Sequence, residues 1–173
     1  MHETKNSSVR RESRMEQKSL AKWLKFIIIG VGICGLIVYF AVFTSLGRSL
    51  VYDNPEFEYC YWPWLIFLWI TAIPCYAVLV LGWKIAANIG NDRSFSFDNA
   101  KYCKWISWLA LGDTIYFFVG NIVLMFLNMN HPGIILMSFM VDFAGITITV
   151  VAAVLSRLIK NAAELKEQND LTI

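Results

Sequence analysis

The chain has 173 residues, of which 57% are hydrophobic and only 16% charged, with a formal net charge of +2. Its mean hydropathy is positive. A soluble domain of this size would expose far too much apolar surface, so the composition excludes that class and directs attention to the lengths of the apolar runs.

A helix rises about 1.5 Å per residue and needs about 20 mostly apolar residues to cross about 30 Å of hydrocarbon. Four runs meet that requirement. Residues 26–47 and 59–83 carry no charge, 105–129 are broken only by Asp113, and 134–155 only by Asp142. Lipid offers no partners to backbone N–H and C=O groups, so each crossing must be a helix. The predicted fold is all-α and polytopic, a bundle of four transmembrane helices at about 26–47, 59–83, 105–129 and 134–159.

Residues 1–25 are polar and basic, with Lys5, Arg10, Arg11, Arg14, Lys18, Lys22 and Lys25 against Glu3, Glu12 and Glu16, and are predicted to be a disordered arm. The apolar run that follows is longer than a signal h-region and has no small-x-small site, so it is expected to stay as an anchor. Gly30, Gly32 and Gly35 would let a helix approach closely, within the chain or in a homo-oligomer, although their spacing is not GxxxG. Residues 48–58 form an acidic loop turning at Asn54-Pro55. Tyr59, Tyr61, Trp62, Trp64, Trp83, Trp105 and Trp108 mark the helix ends, where aromatic rings lie at headgroup depth.

The loop 84–104 holds Lys84, Arg93, Lys101 and Lys104 against Asp92 and Asp98. Within it, Ser96 is placed to cap a helix, with Asp98 in the first turn favouring the positive helix end. Phe95 and Phe97 could instead present a docking surface to a partner. The turn 128–133 has no Lys or Arg. Seven basic residues in the arm, four in the middle loop and three after the last helix (Arg157, Lys160, Lys166) stand against Arg48 alone on the other side. That asymmetry predicts both termini in the cytoplasm of a plasma-membrane protein. Residues 160–173 continue the last helix as a polar tail.

Two segments resemble a known family. Phe95-Ser96-Phe97-Asp98-Asn99-Ala100-Lys101 resembles a Phe-Ser-x-x-Asn-x-Lys motif, and the ending from Glu164 to Ile173 is similar to Glu-Leu-x-x-Glu-Asn-Asp-Leu-Thr-Ile, with Gln168 in place of a Glu. Both belong to the YoaS-like bacterial membrane proteins of unknown function. The resemblance implies a four-helix membrane protein, often encoded beside a small helix-turn-helix DNA-binding regulator, with no catalytic residues to carry over. It adds Ser96, Asn99, Asn169, Asp170, Leu171, Thr172 and Ile173 to the partner-docking candidates.

The two intramembrane acids are the other candidates. A carboxylate at the bilayer centre costs about 2.5 to 3.5 kcal/mol on insertion scales, so such a residue normally faces protein or water. Each acid lies eight residues into its helix, about 12 Å deep from opposite sides. Their heights therefore differ by only about 6 Å. Asn121, Thr149 and a kink at Pro74 could complete a polar layer with them. Asp113 and Asp142 have no Lys, Arg or His in the apolar parts of the helices, and a protonated Asp can simply donate a hydrogen bond as packing glue.

Cys34, Cys60, Cys75 and Cys103 have no CxxC spacing, and His2 and His131 stand alone, so neither a metal nor any other cofactor is expected. No nucleophile, base or metal set converges, so an enzyme is not expected, and the basic arm is assigned to orientation and the lipid bilayer, with no direct nucleic-acid binding. Three function classes remain open: a regulatory or interaction protein coupling the membrane to a cytosolic partner, a proton- or cation-linked transporter or channel, and an immunity-like protector against a membrane-active toxin.

Overall fold

The computed structural model describes residues 2–130 and 132–170, with side chains described for 15–130 and 132–169. Leu171, Thr172 and Ile173, together with His131 and the side chain of Asp170, lie outside the described residues. The chain is helical nearly throughout. Helix α1 (His2–Leu36) passes through a π-helical turn (Ile37–Val42) into α2 (Phe43–Asp53), and α3 (Glu58–Gly90), α4 (Phe97–Phe126) and α5 (Pro132–Asp170) follow. Four of the resulting rods are long and apolar enough to cross a membrane: Met15–Asp53, Pro55–Gly90, Phe97–Phe126 and Pro132–Asn169.

The first rod corrects one expectation. Residues 1–25 were expected to be disordered from their charge, but α1 already begins at His2. The stretch contains no Pro or Gly and is rich in Arg, Glu, Gln, Lys, Leu and Ala, all good helix formers, so it can extend the helix that the apolar run nucleates.

Each turn is made by local chemistry. Asn54 leaves helical geometry and donates from Nδ2 to the Leu50 carbonyl at 3.2 Å, and Pro55 opens a short 3-10 turn before α3. Asp92 and Asn128 adopt left-handed backbone conformations at φ 59° and 55° after α3 and α4, which Asn and Asp tolerate better than other side chains. The bend at Asn128 stops α4 three residues short of the predicted end at 129. Ser96 caps α4 as its position predicts, accepting from the Asn99 amide at 3.3 Å. Pro63 and Pro74 both sit inside α3 without ending it.

The bundle is open. The rod formed by α1 and α2 packs on α3, α3 on α4, and α4 on α5, and among the described residues no other pair of these rods approaches closely. The best buried cluster joins Phe67 and Leu68 of α3 to Leu124 of α4, with Phe67 stacked on Phe117 at 5.7 Å. Gly120 leaves room for the Phe67 ring, and Gly145 of α5 seats Thr114 of α4. Ser107 and Ser156 tie α4 to α5 by donating to the Thr149 and Ala100 carbonyls at 2.9 and 2.7 Å. Along the α1–α3 seam Gly32 faces Leu79, and Gly35 faces Tyr76, whose hydroxyl donates to the Gly32 carbonyl at 2.8 Å. These two glycines serve packing within the chain. Most large apolar side chains point outward, as they must where hydrocarbon is the solvent.

Close seats leave little tolerance for an added methyl. Gly120→Ala and Gly145→Ala should each destabilise the fold by about 1 to 3 kcal/mol through overpacking, whereas Gly30→Ala and Gly112→Ala, with open space around them, should not. Thermal melts of the four variants in one detergent check this.

Candidate intramembrane site

The structure separates the residues expected to form one polar layer. Thr149 returns its hydroxyl to the Gly145 carbonyl of its own helix at 2.9 Å. Asn121 is buried near the end of α4, where Nδ2 donates to the Phe117 carbonyl and Oδ1 accepts from Asn130 Nδ2, both at 2.9 Å. Asn121 therefore latches the turn into α5. Consecutive residues on a helix point about 100° apart: Asp113 turns toward α3, while Thr114 faces Gly145. Asp142 is only 6% exposed, on the helix that packs on α4 alone. Neither of its carboxyl oxygens has a hydrogen-bond partner among the described residues. With Thr114 opposite Gly145, the two acids stand about 6 Å apart in height on different sides of α4, and no hydrogen bond joins them.

Asp113 instead ends a polar chain that crosses three rods. The Cys75 thiol of α3 donates to Asp113 Oδ2 at 3.7 Å and lies 3.7 Å from the Tyr39 hydroxyl. That hydroxyl is 3.0 Å from Thr71 Oγ1. Thr71 gives its own proton to the Leu68 carbonyl at 2.7 Å, so Tyr39 must be the donor to Thr71, which leaves the phenol oxygen able to accept. Tyr39 sits in the π-helical turn, where the backbone ladder widens to an i+5 bond from the Phe43 amide to Val38. The Tyr39 carbonyl there takes a bond from Trp69 Nε1 at 3.2 Å. Single π turns of this kind occur often at functional sites.

Proton positions in this chain depend on Asp113. When the carboxylate is charged, the one thiol proton points to it. When it is protonated, its hydroxyl can donate to Sγ, and the thiol proton is released to the Tyr39 oxygen. The thiol thus donates to α4 in one state and to the first rod in the other, and its sulfur stays hydrogen-bonded to Asp113 in both. Asp113 Oδ1 is buried without a hydrogen-bond partner among the described residues, so one acceptor remains available at this junction.

Tyr39, Thr71, Cys75 and Trp69 were not singled out from the sequence. The available signal was a hydroxyl in the middle of an uncharged run and a Thr and a Cys flanking Pro74, which matter only once the first rod docks on α3. Pro74 lies between them, inside the continuous helix.

The Phe-Ser segment has a structural explanation. Asn99 is completely buried; Nδ2 donates to the Arg93 and Ser94 carbonyls at 3.1 and 3.0 Å, and Oδ1 accepts from Asn88 at 2.8 Å. Ser96 and Asn99 therefore fasten the α3–α4 turn, leaving Phe95 and Phe97 of that segment exposed. Asn169 lies on the last turn of α5.

Residues 46–173 match the family described as "Protein of unknown function (DUF2975)". The chain is also 30% identical over 152 residues to the uncharacterized membrane protein YoaS of Bacillus subtilis (strain 168), a similarity covering 87% of this chain and 94% of that one. No solved structure matches.

Removing the phenol alone should be mild. Tyr39→Phe keeps the ring against Phe43 and should cost about 0.6 to 1.7 kcal/mol, the range for hydrogen bonds between membrane helices. Asn99→Ala strands three groups and should cost about 2 to 3 kcal/mol, while Phe95→Ala should stay within about 0.5 kcal/mol of the parent. Denaturation of the three variants in detergent ranks them.

Proposed function

This chain belongs to the DUF2975 family of proteins of unknown function, and we propose that it is a membrane-embedded regulatory protein whose sensing element is the junction of Asp113, Cys75 and Tyr39. In this reading the protein sits in a bacterial plasma membrane with its basic end and both termini in the cytoplasm, as the distribution of Lys and Arg favours. The observation that carries it is the Cys75 thiol lying 3.7 Å from both Asp113 Oδ2 and the Tyr39 hydroxyl. A proton, a cation or a polar molecule dissolved in the bilayer that engages Asp113 changes which helix the thiol donates to. The change biases how firmly the first rod is seated, and that rod continues directly into α1 at the basic end. Regulation fits better than catalysis because the polar groups of the junction bond to one another and to carbonyls.

The cytosolic partner we propose is a small helix-turn-helix DNA-binding regulator, engaged by the extension of α5. Support comes from Leu158 and Leu165, which stay exposed beyond the last apolar run. Phe95 and Phe97 offer a second exposed contact at the same end.

A second reading, proton- or cation-linked transport, is favoured by one observation. Among the described residues both oxygens of Asp142 and one of Asp113 are buried without hydrogen-bond partners, and an ion could satisfy them. An open row of helices would need a second copy to enclose such a path.

A cross-linking pull-down from native membranes tests the regulatory reading. A DNA-binding protein should be recovered with the intact chain and lost on truncation after Arg157, which removes Leu158 and Leu165. Asp113→Asn mimics the protonated acid and should shift recovery several-fold in one direction, with Tyr39→Phe shifting it in the other. If no tail-dependent partner appears, and liposomes show proton flux that both Asp113→Asn and Asp142→Asn abolish, transport replaces regulation.

A further inference from the structure

We propose that the groove between α3 and α4 at the basic end is a binding site for one anionic phospholipid. The groove has a volume of about 530 Å³, and Lys84, Lys101, Tyr102 and Trp105 line its upper part. The Lys84 ammonium lies 5.6 Å from the centre of the Tyr102 ring, which holds it at the mouth through a cation–π contact. Among the described residues neither Lys84 nor Lys101 has a carboxylate within ion-pair distance. Asp98 is the single acid on the lining, so the mouth carries net positive charge.

Below that mouth the lining becomes apolar, with Ala77, Val80, Leu81 and Leu109. Ala77 is seven residues from Lys84 along α3, about 10 Å deeper, and Leu109 is eight from Lys101 along α4, about 12 Å deeper. Both walls therefore descend together from a cationic, aromatic rim into hydrocarbon. Tyr and Trp place that rim at headgroup depth. The two halves match the two halves of one lipid: a phosphate between the ammonium groups and an acyl chain along the seam. Basic pockets between membrane helices bind lipid phosphates in this way. A second groove at the same end, reaching from Gln17 of α1 to Ile159 of α5, has no charged side chain on its lining among the described residues. Charge therefore selects the α3–α4 groove, and its apolar floor selects a lipid over a free anion.

Native mass spectrometry of the full chain, titrated with phosphatidylglycerol and with phosphatidylcholine, tests the site. One phosphatidylglycerol should be retained with a preference of about tenfold or more. The Lys84→Gln, Lys101→Gln double variant should lose that preference and keep the parent melting temperature. A Lys160→Gln, Lys166→Gln control should keep both. Equal loss in the control, or an undiminished preference in the double variant, would show diffuse attraction to the basic end and overturn the proposal. So would displacement of the lipid by millimolar inorganic phosphate, which would make the site one for a free anion.

Discussion

Hydrocarbon supplies no hydrogen-bond partners, and this constraint governs each polar group that the chain places inside its helices. Helical backbones satisfy their own donors, so the polar side chains can be used elsewhere. Ser107 and Ser156 spend theirs on carbonyls of a neighbouring helix. Asn99 and Asn121 are buried where a hairpin turns, each accepting from a second Asn across the turn. A helical hairpin in lipid cannot rely on an apolar driving force to bring its arms together, since the solvent is as apolar as the side chains. A buried amide that bonds across the turn supplies the direction that hydrophobicity cannot.

The π-helical turn applies the same constraint inside the membrane. Widening the ladder loosens backbone bonding that lipid cannot repair, and it persists because α3 contributes a donor: Trp69 reaches the Tyr39 carbonyl. The Tyr39 hydroxyl returns the contact through Thr71. The first rod is thus joined to α3 by polar bonds at the π turn, and again one to two turns away where Tyr76 donates to the Gly32 carbonyl, with glycines seating Leu79 and Tyr76 along the seam.

The four crossings were legible because each is set by run length and charge, which are properties of one segment at a time. The cap at Ser96 and the bend at Asn54-Pro55 were legible for the same reason. The helical arm was not, because the charge of residues 1–25 points to disorder while the helix propensity of the same side chains points to a helix. The polar layer was not legible, for a different reason. Depth can be counted along a helix, and the acids do stand at similar heights, but azimuth depends on which helices are neighbours. Asn121 and Thr149 have nearby partners of their own, whereas Cys75 and Tyr39 matter only through a contact 36 residues apart in sequence.

The order of the row explains why the acids are not equivalent. Of the two inner helices α3 and α4, α4 bears Asp113 toward α3 and meets Asp142 on its other side. A change at Asp113 acts on the α3–α4 contact and, through Cys75, on the first rod. A change at Asp142 acts only where α5 meets α4. The two carboxyls therefore stand at different joints: Asp113 where α4 meets α3, and Asp142 on the helix that packs on α4. The separation also limits what one added proton can do. A change at either acid falls on a single seam, and coupling between the seams must pass through the body of α4, whose close seats at Gly120 and against Gly145 leave little room for independent movement.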